Sequence, residues 1–247
     1  QLRVSTMADT AAHAPAPAAA AADPLPPSSA SSDGGQGEGR EGAEGEGEFG
    51  YIKTAAHNYV SRNATIHGPQ NVELRGKTII ERGVNIYGDE GSKIRIGRYC
   101  AIGEGVALTP ASYVVDGMDD DDNTNDDDGT KKEKEKVVKY LPLIIGSNTC
   151  IGCNTTSQAA AIGSSVIIGD NCTIGNRCII KDCVYVEGGS VLPDDMVVPP
   201  FAVVRGCPAR LVTDGDVMPE SCAVVIPQQR VEEFGDFVRK LGGDGGH

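Results

Sequence analysis

Cysteine and histidine offer the most chemistry in this sequence, and their spacing limits how much of it is available. Cys150 and Cys153 stand in a Cys-x-x-Cys arrangement, which elsewhere holds a metal or exchanges a disulfide through a thiolate. No second such pair accompanies them, so they are read as small filling residues. The histidines are His13, His57, His67 and His247. A general base needs a group titrating near neutrality, which imidazole supplies. His13 and His247 fall in tails and His57 precedes the repetitive region, which leaves His67, read as a turn histidine without catalytic work. Thr124, Asp126, Asp128, Gly129 and Glu135 fall at positions 1, 3, 5, 6 and 12 of a calcium loop, but the first ligand is wrong and no helices flank it. Gly76-Lys77-Thr78 echoes a phosphate loop, yet Asn71 stands where its leading glycine belongs. The Gly-rich stretch 37–48 is acidic and repels phosphate. The sequence assigns no catalytic, metal-binding or cofactor-binding residue.

The elements that could position such groups are constrained by composition. At 247 residues the chain has room for one domain with extensions or two small ones. Thirty-five acidic against 22 basic residues give a net charge of -13, which argues against nucleic acid or an anionic membrane surface as the main partner. No window approaches the length of an apolar span, and neither a secretory nor a mitochondrial leader pattern opens the sequence, so a cytoplasmic setting with reduced cysteines is expected. Met7 is the expected start of translation. No Trp and four Phe beside 32 Gly is unusual for a protein that encloses a substrate, since such pockets are lined by large side chains.

Residues 1–48 are mainly Ala, Pro, Ser, Gly and Glu with no Phe, Tyr or Trp, a composition that cannot offset chain entropy by burial, so a disordered tail is expected there. From Phe49 onward a period of six emerges. Ile162, Ile168, Ile174, Ile180, Val186, Leu192, Val198 and Val204 follow one another at that step. At an apolar frequency of 39% an eight-fold run arises by chance roughly 5 times in 10,000. Val166, Cys172, Cys178, Val184, Ser190 and Ala202 take the fourth place after the apolar residue, a second and smaller inward site. The first half gives Val60, Ile66, Val72, Thr78, Val84, Glu90, Ile96, Ile102 and Leu108, and Ile145 and Ile151 stand six apart before a one-residue slip into the frame of Ile162.

A period of six suits neither a helix nor a long strand. It fits one flat side of a three-sided coil, with coils stacked as a solenoid of parallel strands, about six or seven in number. The expected fold is all-β, a β-helix over 49–212. Residues 110–139 interrupt it with Asp119–Asp122, Asp126–Asp128 and an alternating Lys/Glu run, read as a solvated charged insert at a coil corner. Residues 213–247 form a linker and a helix, with Val231, Phe234, Phe237, Val238 and Leu241 at helical spacing, expected to pack along the coil and cover an edge.

These coils resemble the left-handed parallel β-helix of hexapeptide-repeat proteins, and the left hand is what that resemblance implies. Acyltransferases and gamma-class carbonic anhydrases share the coil. The zinc histidines of the latter correspond to Cys153, Gln158 and a position near Thr109, so the site is dismantled. Two stretches narrow the match: NYVSRNATIHGPQNVELRGKTII (58–80) and NCTIGNRCIIKDCVYVEGGSVLPDDMVVPPFAVVRGCPARLV (171–212). With Ile96-Gly97-Arg98-Tyr99-Cys100 they resemble the family of the dynactin 25-kilodalton subunit, over about 49–212. The long insert and the N-terminal segment depart from that family.

The resemblance implies a non-enzymatic subunit of the dynactin pointed-end complex in the cytoplasm and cytoskeleton. Its partners would be the 27-kilodalton and 62-kilodalton subunits and the actin-related pointed-end protein, with dynein and membranous cargo as indirect partners in microtubule-based transport. The alternative is a hexapeptide-repeat enzyme of the acyltransferase or gamma-class anhydrase kind, and a third possibility is a self-trimerising β-helix. Arg98, Asn176 and Arg177 at repeat turns, with Lys181 and Arg205 at the site usually held by Gly, are expected to point outward as partner contacts.

Overall fold

The computed structural model describes residues 50–88, 91–116, 136–213 and 217–242. Three parallel sheets run the length of a solenoid and form its three faces. The first coil contributes Tyr59–Ser61 to face A, Thr65–His67 to face B and Val72–Leu74 to face C. Each later coil repeats that order, so Ile79–Ile80 lies beside Tyr59–Ser61, Asn85–Tyr87 beside Thr65–His67, and Ile94–Ile96 beside Val72–Leu74. The parallel ladders hold six strands on faces B and C, giving about six turns.

One residue per side points inward at the end of each short strand. Ile80, Ile86, Ile96, Ile102, Leu108, Ile145, Ile151, Ile162, Ile168, Ile174, Ile180, Val186, Leu192, Val198 and Val204 are all buried and stack in register. Two residues earlier lies the second inward site, where Val84, Cys100, Val106, Thr149, Thr155, Val166, Cys172, Cys178, Val184 and Ser190 are buried too. Its polar members are satisfied by the neighbouring coil: the Thr149 and Thr155 hydroxyls donate to the carbonyls of Gly163 (2.8 Å) and Gly169 (3.0 Å), and the Cys100 thiol to that of Gly146 (3.1 Å). The cysteines there are therefore small core residues with a weak donor, and burial pushes the Cys100 thiol up to about 11. Three residues before most inward residues the chain turns with positive φ, at His57, Lys77, Tyr99, Asn148, Asn154, Ser165, Asn171, Arg177, Cys183, Asp195 and Phe201 as well as at Gly83, Gly105 and Gly189.

The frame expected in the first half is partly displaced. Leu74, Ile80 and Ile86, not Thr78 and Val84, occupy the main inward site; Val72, Thr78 and Val84 hold the second one. The 3-10 turn Pro69–Asn71 adds two residues between Ile66 and Leu74, and the turn after Tyr87 adds four between Ile86 and Ile96. Together these make one full period, so the count by six rejoins the true frame at Ile96.

Tyr51–Lys53 pairs antiparallel with the first strand of face A, and at the other end Val203–Gly206 folds back on Ala209–Leu211, carrying Ala209 into the core. The helix Cys222–Gly242 lies along face A, with Phe234 against Tyr59 and Tyr99 and Phe237 against Tyr51 and Tyr59. It covers a flat face and not a sheet edge, packing on the apolar surface that the outward residues Tyr59, Ile79, Ala101, Cys150 and Ile167 give to face A. Val231 is 46% exposed and lies off the packing side, which Cys222, Ile226, Phe234, Phe237 and Val238 define instead. At the base of the insert, Ser112–Asp116 and Lys136–Tyr140 form an antiparallel ribbon; the acidic runs and the calcium-like spacing lie outside the described residues. The stretch 1–48 lies outside them as well.

Candidate interaction surfaces

The five cationic and amide residues expected as contacts separate into two groups. Arg98, Lys181 and Arg205 are exposed, Arg205 lying 4.0 Å from Glu187. Asn176 and Arg177 are half-buried and engaged within the chain. The Ser112 amide donates to Asn176 Oδ1 (2.9 Å), while Asn176 Nδ2 (2.8 Å) and Arg177 Nη1 (3.1 Å) donate to the Ser112 carbonyl. Arg177 also grips Asp195 through Nε (2.6 Å) and Nη2 (2.5 Å), a bidentate pair that holds the Asp195 carboxyl below its ordinary range. These two side chains clamp the ribbon to the coil. Replacing Asn176 with Ala removes two hydrogen bonds, each with a net value of about 1 kcal/mol. The Ser112 amide is then expected to exchange with solvent roughly tenfold faster; unchanged exchange by mass-resolved deuterium labelling would show that the clamp is dispensable.

Three aspartates that the sequence did not single out serve the stack itself. Asp170, Asp182 and Asp194 accept hydrogen bonds from the amides of Cys153 (2.6 Å), Ser164 (2.6 Å) and Asn176 (2.7 Å) in the preceding coil. Their spacing of twelve, two hexapeptides, is the signal that could have revealed them.

The two ends of the solenoid differ. At the first coil Val60, Ala64, Ile66, Val72 and Leu74 are only partly buried, and Thr65–His67 and Val72–Leu74 are edge strands of their sheets. Among the described residues nothing pairs with those two edges. At the last coil an apolar groove of about 460 Å³ is lined by Phe201, Leu211, Val217 and Met218 beside Pro199 and Pro200.

The residues tested for chemistry are dispersed. The His67 ring stacks on Tyr87 at 4.7 Å, and His57 occupies a positive-φ turn. Cys150 lies under the helix, where burial raises its thiol above the ordinary value against the opposing influence of Arg230. Among the described residues no three His, Cys, Asp or Glu side chains converge as a metal site. No helix among them is long and apolar enough to cross a membrane.

Against known families, residues 128–230 match the sequence model described as dynactin subunit 5. The chain resembles dynactin subunit 5. A curated relative of that description from Dictyostelium discoideum is 42% identical over 62 residues, which is 25% of this chain and 31% of the relative. The matched segment thus spans about a third of the relative's length. Solved structures similar to this chain include a perosamine N-acetyltransferase mutant from Caulobacter crescentus, 16% identical, covering 64% of this chain and 57% of the other with a TM-score of 0.45. An N-acyltransferase from Bacillus cereus, AntD, is 14% identical, with 76% of this chain and 94% of that one covered and a TM-score of 0.44.

Proposed function

We propose that this chain is a non-enzymatic subunit of dynactin, placed in its pointed-end complex and acting through protein contacts in dynein-driven, microtubule-based transport. The observation that carries this reading is the dynactin subunit 5 match over residues 128–230, which takes in the later coils and the first part of the helix. The open first coil supports it, because half-buried apolar residues framed by free strand edges suit another protein whose strands continue the ladders. The neighbours assigned to it are the 27-kilodalton and 62-kilodalton subunits and the actin-related pointed-end protein, in the cytoplasm and on the cytoskeleton. Arg98, Lys181 and Arg205 remain the proposed contact residues, since they are exposed.

The test is to isolate the tagged chain from its own cells and identify what accompanies it by mass spectrometry. Co-purification of the actin-related filament and pointed-end subunits is expected, with lower recovery when Arg98, Lys181 and Arg205 are changed to Glu. Recovery of a bare homotrimer that consumes acyl-coenzyme A would overturn the proposal in favour of the enzyme reading.

A further inference from the structure

The helix meets the solenoid at a second cluster, away from its aromatic contacts. Cys222, in its first turn, and Cys183, in the sixth coil, are 4% and 3% exposed and belong to one buried group with Ile226, against which Ile167, Phe201 and Met218 pack. Cys183 differs from the other buried cysteines of the coil. Cys100, Cys172 and Cys178 fill second inward sites and donate to carbonyls of the next coil. Cys183 instead occupies a positive-φ turn position, φ 57°, which turns its side chain away from the solenoid interior and towards the helix. Burial, and after it a side-chain hydrogen bond with Cys222, push the Cys183 thiol up to about 11. Two hydrogen-bonded thiols in one buried cluster, carried by segments 39 residues apart, are candidates for a crosslink.

We propose that Cys183 and Cys222 form a reversible disulfide that staples the first turn of the helix to face A. With glutathione disulfide as oxidant, one cysteine thiolate attacks a glutathione sulfur, its S–S bond breaks, and the first glutathione leaves as thiol. The second cysteine then attacks the mixed disulfide and releases the other glutathione. The two protein sulfurs lose two electrons and two protons, and both appear in the two glutathione thiols. Both sulfurs are shut off from solvent, so the reaction waits on opening of the first turn. The product bridges the linker between the last coils and the helix, the segment that also borders the apolar groove through Val217 and Met218. In a reducing compartment such a bond is a regulatory state and not a permanent one.

The full chain, reduced and then equilibrated in glutathione buffers of increasing oxidised fraction, is alkylated, digested with trypsin and mapped by mass spectrometry. A crosslinked peptide pair containing Cys183 and Cys222 is expected, reversed by dithiothreitol, with the thermal midpoint raised by about 5 °C in the oxidised form. Exposed Cys207 reports that oxidant was present. A fully oxidised buffer that modifies Cys207 yet leaves Cys183 and Cys222 separately alkylated overturns the proposal, as does pairing of either with another cysteine. The unmodified sequence suffices for this test; the variant C207S repeats it without the exposed thiol.

Discussion

Replacing Gly169 with Ala is expected to cost about 3 kcal/mol or more, lowering the thermal midpoint of the solenoid by roughly ten degrees. The cause is contact between coils. A Cβ built on Gly169 meets the backbone N of Gly188 at 2.5 Å and its Cα at 2.7 Å, and neither is the movable end of a side chain. Relief requires coils to separate, which stretches the ladder bond from the Gly169 amide to the Val186 carbonyl (2.8 Å) and loosens Ile168 against Val186. Gly146, Gly152, Gly163 and Gly175 stand in the same relation to the following coil. Gly235, with open space around its Cβ position, is the control and should tolerate Ala. Denaturation followed by far-ultraviolet circular dichroism checks both variants, and an unchanged midpoint for Gly169→Ala would mean that the coils are not held at this spacing.

The same tight stack made the solenoid legible through its apolar residues. An apolar residue recurring every six positions is a signal that no helix or single strand produces. From Ile162 to Val204 the count by six and the buried ladder coincide residue for residue. In the first half the same count met apolar residues at Val72 and Val84 for a different reason, since both inward sites accept them. Two insertions adding up to one period returned the count to its frame at Ile96, with Thr78 and Glu90 as its interruptions. Only the pairing of strands, Ile66 beside Ile86 and Leu74 beside Ile96, separates the two frames.

The roles of Asn176 and Arg177 were illegible for another reason. Their turn positions are readable, but their partner is the main chain of Ser112, 64 residues earlier for Asn176, and a carbonyl carries no side-chain signature. A side chain expected to face solvent is occupied because the insert returns to the coil beside it. The cysteines and His67 show the converse. Their types suggested chemistry, while their sites are explained by packing: Cys150 faces outward under the helix, Cys100, Cys172 and Cys178 fill second inward positions, and the His67 ring stacks on Tyr87. The thiol contact between Cys183 and Cys222 lies between these cases, since only the docked helix brings the two together.

The helix depends on that docking more than on its own sequence. Pro227 removes an amide from its ladder, and Gly235 lowers helical preference in its second half. A free 21-residue helix with both is marginal in water. What holds its far end is aromatic: Phe237 meets Tyr51 edge-on at 5.3 Å and Tyr59 at 5.5 Å, while Phe234 meets Tyr59 and Tyr99, each at 5.9 Å. Changing Phe234 and Phe237 together to Ala removes four ring contacts and is expected to cost on the order of 3–4 kcal/mol. The solenoid has its own core and should persist, so the expected outcome is selective: helical ellipticity falls, β signal remains, and Cys150, half-buried beside Arg230, becomes open to iodoacetamide. Val231→Ala, on the exposed side, should change none of these. Helical signal and Cys150 protection that survive the double change would move the anchor to the Cys183 and Cys222 end of the helix. Oxidation would then bear directly on whether face A is covered, because those thiols share their buried cluster with Ile226 of the helix.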